Sequence, residues 1–242
     1  MTDLKKRKYA LALQKNKLLK DLEKEHISQF LEVMEEEIWP KHTCSIERAR
    51  YQEKFHFVIS GRLKIYKIDE KTGREFSLFI LKKGDAFDIL CLLDGCKHEV
   101  FYSALDRATL LSTPMPVMQK WLREHPEVNK NMLPYLSQRM RVLEEYASNI
   151  TLIDISTRLA KLILSNVNKE SQQLELINDL SNEELANLIG STRAVVNRHL
   201  QVFKSEGILD LGRQKLEIKN IELLLEKAQV KGLHDPGNFN ML

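Results

Sequence analysis

SNEELANLIGSTRAVVNRHLQVFKSEG, residues 181–207, reads as two short capped helices on either side of a glycine. Ser181 stands three residues ahead of Glu184, so hydroxyl and carboxylate can satisfy each other's unpaired backbone N–H groups as a capping box. Leu185, Leu188 and Ile189 then share one helical face. Gly190 can take the left-handed conformation that ends the first helix, and Ser191 is placed to cap the second. There Val195, Val196, His199, Leu200 and Phe203 form an inward stripe, and Gly207 stops the helix. Two helices joined by a tight turn containing glycine have the geometry of a helix-turn-helix.

The outer side of the second helix carries the chemistry. Ser191, Thr192, Arg193, Asn197, Arg198 and Gln201 are the candidate DNA contacts. Arginine can grip guanine through O6 and N7, and asparagine or glutamine can do the same for adenine, each pair giving about 1–3 kcal/mol of discrimination. Downstream, Ile208 to Ile218 alternates apolar and polar residues around Gly212 and Arg213, which predicts a two-stranded wing. Arg213 and Lys215 are expected near the phosphate backbone. A net charge of +3 is too small to argue nucleic-acid binding by itself. Its distribution is more telling: Arg193, Arg198, Lys204, Arg213, Lys215 and Lys219 outweigh Glu206, Asp210 and Glu217 in the reader and wing. The run Glu32 to Glu37 is strongly acidic and can serve as a docking surface, while Lys5 to Lys8 reads as a solvated helix face.

The 242 residues suffice for two modest domains, each with its own core. Hydrophobic content of 43% and charged content of 29% fit a globular chain without a membrane partner. No apolar run reaches the ~20 residues that span a bilayer. The amino terminus is cationic, but Gln14, Lys15, Asn16 and Lys17 interrupt its apolar residues, so it does not read as a secretory leader. The expected location is the cytoplasm.

From about Lys41 to Pro114, short apolar runs alternate with turn signals at Gly61-Arg62, Thr72-Gly73 and Lys83-Gly84. FHFVIS (55–60), LKIYKI (63–68) and REFSLFIL (74–81) are rich in strand formers, which predicts an antiparallel β-roll. A long helical segment follows from Pro126 to about Asp154. In it Leu133, Met140 and Ala147 recur with a seven-residue spacing, as do Leu136, Leu143 and Ile150, an a/d stripe suited to a dimer. Pro134 should kink this helix or mark a delayed start. The expected fold class is α+β, with a basic extension over 1–24, a β-roll sensor over 25–120 and a dimerisation helix over 121–154. A winged helix-turn-helix over 155–225 and a tail over 226–242 complete it.

This order of β-roll, long helix and winged helix-turn-helix resembles the Crp/Fnr family of bacterial transcription regulators. FVISGRLKIYKIDEKTGREFSLFILKKGDAF (57–87) is similar to the family's β-roll signature, related to cyclic-nucleotide-binding jelly rolls. LSNEELANLIGSTRAVVNRHLQVFKSEGIL (180–209) is similar to its DNA-binding signature. The resemblance implies a homodimer on double-stranded DNA with a palindromic operator, and makes RNA polymerase a candidate partner. It places Arg193, Asn197 and Arg198 where family members read the major groove. Ala194 departs from the glutamate that many members use to accept from cytosine, which changes the expected half-site.

In cyclic-nucleotide-binding members an Arg-Ser or Arg-Thr pair holds the cyclic phosphate. The matching stretch here, Gly84 to Leu111, has Val100 and Phe101 around that position. Neither can neutralise a phosphate, which argues against cyclic AMP. Cys44, Cys91 and Cys96 are the other sensor candidates. An Fnr-type cluster takes four thiolates, so an iron–sulfur cluster or other metal site needs His98 or Asp94 to complete the set. Haem held through Cys or His is a further reading. The alternative is that Cys44 and Cys91 are small core residues and Cys96 an exposed thiol. His26, His42, His56 and His125 are scattered, and no HxH, HExxH, CxxC, P-loop or nucleophile elbow occurs, so no catalytic constellation supports an enzyme.

Overall fold

Strand pairing follows the turn signals. The computed structural model describes residues 3–44, 53–97, 99–168, 173–212 and 215–229. Contacts divide the chain into one unit of Met1–Lys67 with Ile80–Arg139 and a second of Ile68–Phe79 with Met140–Leu242.

In the first unit, β1 (Glu35–Trp39), β2 (Lys54–Ser60), β5 (Ala86–Phe87) and β7 (Ala108–Pro114) form an antiparallel sheet in the order β1-β7-β2-β5. Here β3 (Leu63–Ile68) pairs antiparallel with β6 (Phe101–Ala104), Leu63 opposite Ala104. The next strand, β4 (Glu75–Leu81), starts in the second unit and ends in the first. FHFVIS is apolar almost throughout because both faces of β2 are covered. Phe55, Phe57 and Ile59 enter the helix-lined core, while His56 stacks on Phe87 with centroids 4.4 Å apart. The β2–β3 turn requires Gly61, at φ +81, because a Cβ there would lie 2.7 Å from Ala108 Cα and from the Arg107 carbonyl oxygen.

The amino-terminal segment keeps Lys5, Arg7 and Lys8 on an exposed helix face and sends apolar residues into the core. In it α1 (Asp3–Gln14) and the turns after it bury Tyr9, Leu13, Leu18, Leu19 and Leu22. These pack in one core with Ile27, Phe30 and Leu31 of α2 (Lys24–Glu32) and with Met118 and Trp121 of α4 (Met115–Glu124). The acidic run is met by lysines of its own unit: Lys5 pairs with Glu36 at 2.7 Å, Lys6 with Glu32 at 2.6 Å, and Lys54 with Glu35 and Glu37. Burial alone would raise the Glu37 carboxyl, but hydrogen bonds from Ser112, Lys54 and Trp39 hold it below the usual carboxylate range.

The segment expected to be one helix over 121–154 is broken. Trp121–Glu124 ends α4, and a 3-10 turn (Pro126–Val128) follows. Then α5 (Asn129–Leu152) runs from the first unit into the second. Pro134 lies inside α5 rather than at its start, and the helix continues through it. Proline removes the N–H that would pair with the carbonyl of Lys130, so α5 continues one hydrogen bond short.

In the second unit α6 (Ile155–Ser165) packs with α7 (Asn182–Ile189) and α8 (Arg193–Ser205), and α8 packs with β8 (Leu209–Gly212), which pairs with β9 (Lys215–Ile218). Its core includes Leu159, Leu162, Leu185, Val196, Phe203 and Leu216. The stretch expected as a tail from 226 overlaps α9 (Ile221–Lys227), which is capped by Asn220 and buries Leu224, with Ala228 buried just after it. Residues 230–242 lie outside the described residues. Among the described residues no helix is long and apolar enough to cross a membrane.

Candidate nucleic-acid interface

The reading unit is assembled from its caps. Ser181 Oγ accepts from the Glu184 N–H at 3.2 Å, and the Ser181 N–H donates to Glu184 Oε2 at 2.8 Å, closing the capping box at the start of α7. Gly190 ends α7 at φ +65, and the Ser191 N–H donates back to the Ala186 carbonyl at 2.9 Å. The next cap is not the expected one. Thr192 caps α8, its Oγ1 facing the Val195 N–H at 3.4 Å, whereas Ser191 is buried beneath the turn. The reason is the left-handed glycine, which turns residue 191 inward and leaves 192 extended at the helix mouth.

Two arginines hold this turn from behind. Arg158 Nη1 donates to the Ile189 carbonyl at 2.8 Å, and Arg74 Nη2 lies 3.4 Å from the Ser191 carbonyl oxygen. Cations at the carbonyl end of α7 also suit its dipole. Phe76, from the same stretch as Arg74, packs edge-on against Tyr146 of α5 at 5.2 Å.

With Val196, Leu200 and Phe203 locked into the core, α8 turns Thr192, Arg193, Ala194, Asn197, Arg198 and Gln201 to solvent. Neither Arg193 nor Arg198 has a carboxylate partner among the described residues, so their guanidinium groups are available to phosphates and base edges. Asn182 Nδ2 donates to Asn197 Oδ1 at 3.0 Å, which tethers that amide across the turn. Burial, helped by the charge of Arg198, lowers the pKa of His199 and favours the neutral imidazole.

The helix ends in a Schellman arrangement: Gly207, at φ +73, donates to Lys204, and Ile208 donates to Phe203. The wing pairs Gly212 with Lys215 at its tip. Lys215 is exposed, but its ammonium sits 2.8 Å from Glu217, which Lys219 shares. Arg213 lies outside the described residues.

The expected dimer stripe is mostly uncovered. Leu133, Met140, Leu143 and Ile150 are 68%, 73%, 41% and 36% exposed, and Ala147 is exposed beside them. Leu136 is half-buried against the core of the first unit.

The cysteines are not gathered. Cys44 forms a bridge with Ser103 and receives the Tyr66 hydroxyl at 3.8 Å; Cys91 is buried in α3 (Ile89–Asp94); Cys96 is exposed on the following turn. His98 lies outside the described residues. Among the described residues, the three metal-ligating side chains that do converge are His26, His125 and Glu127. Nothing in the local sequence links position 26 to position 125, so this cluster is not legible in the chain. At the expected cyclic-phosphate position, Val100 is buried and Phe101 opens β6.

Residues 157–227 match the Crp-like helix-turn-helix domain. Over 181 residues the chain is 26% identical to the CRP-like cAMP-activated global transcriptional regulator of Mycobacterium tuberculosis, covering 73% of this chain and 80% of that one. It is 27% identical to the global nitrogen regulator of Synechocystis over 176 residues, 69% of this chain and 77% of the relative. Among solved structures, a CooA double mutant from Carboxydothermus hydrogenoformans superposes with a TM-score of 0.67 at 28% identity, covering 83% of this chain and 90% of that one. Residues 157–227 form a Crp-like, DNA-binding helix-turn-helix domain, and over about 70% of its length the chain is similar to transcription regulators of that kind.

Proposed function

We propose that the protein acts as a homodimer on a two-fold symmetric operator, each protomer placing α8 in the major groove. The observation that carries this reading is the sidedness of α8, with an apolar face locked into the core and a solvent face of Arg193, Asn197, Arg198 and Gln201. Arg193 and Arg198 read bases, Thr192 and Lys215 contact phosphates, and Lys215 exchanges Glu217 for the backbone on binding. Dimerisation runs along α5, where Met140, Leu143, Ala147 and Ile150 leave an apolar stripe uncovered. Family regulators act as dimers, which supports the same arrangement. Two-fold symmetry then sets the half-sites about one helical turn, roughly 34 Å, apart. Ala194 offers a methyl group where a carboxylate would accept from cytosine, so the half-site lacks that cytosine requirement.

The β-roll receives the signal, and that signal is not cyclic AMP. The buried Val100 and the Phe101 beside it supply no charge for a phosphate. The relay runs through α5, which belongs to both units, and through the Arg74 contact at the Ser191 carbonyl, where a small shift changes how the turn presents α8. The protein works by binding rather than catalysis.

Selection of bound sequences from a random DNA pool with the purified protein tests the proposal. Recovery of a palindrome, bound with two chains per duplex, is the expected outcome. Enrichment of an asymmetric single site, or of no sequence, would overturn it. Titration calorimetry with cyclic AMP should show no saturable heat.

A further inference from the structure

Three side chains far from the reading helix converge with the chemistry of a metal site. His26 lies in the first turn of α2, His125 caps the end of α4, and Glu127 sits in the 3-10 turn that leads into α5. One ligand atom from each lies within 4.8 Å of the other two. Glu127 Oε1 is 3.2 Å from His125 Nδ1 and 3.9 Å from His26 Nδ1. Ligand atoms held at roughly 2.0–2.2 Å around tetrahedral zinc stand about 3.3–3.5 Å apart, so the two observed separations bracket that value.

The surroundings prepare the set. His125 packs at a tilt against Trp121, with centroids 4.4 Å apart, and Trp121 is itself stacked on Phe30. Its backbone N–H donates to the Trp121 carbonyl at 3.0 Å, so ring and backbone are both held. The imidazoles of His26 and His125 lie against each other at a tilt of 55°, with centroids 4.6 Å apart. His26 Nδ1 is shielded from solvent yet has no hydrogen-bond partner among the described residues, a cost that a ligand would remove. His26 and Glu127 remain 37% exposed at their side chains, which leaves a way in for an ion and room for a water.

We propose that His26, His125 and Glu127 bind one divalent transition-metal ion of the zinc class, with water in the fourth position. Two imidazoles and one carboxylate favour zinc over calcium or magnesium, which take oxygen donors. The ion ties α2 to the junction between α4 and α5, and so fastens the amino-terminal helices to the base of the long helix. The site uses none of Cys44, Cys91 or Cys96, and it stands independently of the DNA-reading proposal.

The test is zinc titration of the metal-free, full-length protein against a chromophoric chelator, repeated with cobalt for its visible spectrum. Wild type should bind one zinc per chain and melt at a higher temperature when loaded. Glu127→Gln and His26→Asn should weaken binding by about 100-fold or more and lose the melting shift. The Cys44→Ser/Cys96→Ser double variant should bind as wild type does, and cobalt should give no thiolate charge-transfer band. Glu127→Gln preserves shape at a half-exposed position, so it decides the matter even if His26→Asn fails to fold. Undiminished binding by Glu127→Gln, loss of binding in the cysteine variant, or no zinc bound by wild type would each overturn the proposal.

Discussion

Arg193 and Arg198 are exposed at the amino-terminal half of α8, the part of a recognition helix that meets base edges. Replacing either with alanine should cost about 1–3 kcal/mol of specific binding, roughly 5- to 150-fold, and the double variant should bind selected and scrambled DNA alike. Fluorescence anisotropy on both duplexes measures this. Equal losses on the two would reassign the arginines to phosphates. His199, on the same helix, carries a pH dependence. Burial and then Arg198 lower its pKa in the folded state, so the unfolded chain holds the proton more tightly. Its contribution to stability is therefore complete above the free imidazole's pKa of about 6.5 and is lost as pH falls through the lower folded value. Urea midpoints at about pH 7.5 and about pH 5.5 should differ less for His199→Gln than for wild type. An unchanged difference would show that other groups set the slope.

Among the elements, the turn between α7 and α8 is the most tightly specified. Gly190 sits at φ +65, and an added Cβ would come within 3.3 Å of Ile150 Cδ1. Gly190→Ala should thus cost about 1–2 kcal/mol for the left-handed backbone, with a further contribution from the methyl contact. Ser181→Ala should cost about 1 kcal/mol through the lost cap. Chemical denaturation of both variants checks the order, and a smaller loss for Gly190→Ala than for Ser181→Ala would contradict it. The capping box and both helix-ending glycines were legible in the sequence because they depend on residues three or four apart. The cap at Thr192 was not, since Ser191 is an equally good capping residue and only the path of the chain after Gly190 decides between them. Likewise α9 announces itself with Asn220 and the apolar Leu224 and Ala228, a signal weakened by its brevity.

At the scale of the whole molecule, the dimer proposed along the exposed stripe of α5 makes a prediction about assembly. Met140→Asp combined with Leu143→Asp should yield a monomer by sedimentation equilibrium and leave affinity for a single half-site unchanged. Affinity for the full operator should then fall by about 100- to 10,000-fold, because the second half-site no longer benefits from linkage. A dimer that persists would move the interface elsewhere. What the sequence determined by itself were the features with short-range periodicity: the strands and their turns, the two helices of the reader, the wing, and the apolar repeat of α5. Each depends on residue spacing alone. What only the tertiary structure decided were the partners of residues distant in the chain. Tyr9 and Leu13, set among lysines, enter the main core because α2 and α4 offer an apolar surface to receive them. Leu136 keeps the repeat of the stripe yet half-buries itself in its own unit. The three cysteines, close in type, end in different environments, while His26 meets His125 and Glu127. Such meetings arise when helices pack, and nothing in local sequence encodes which side chains a packed helix will face.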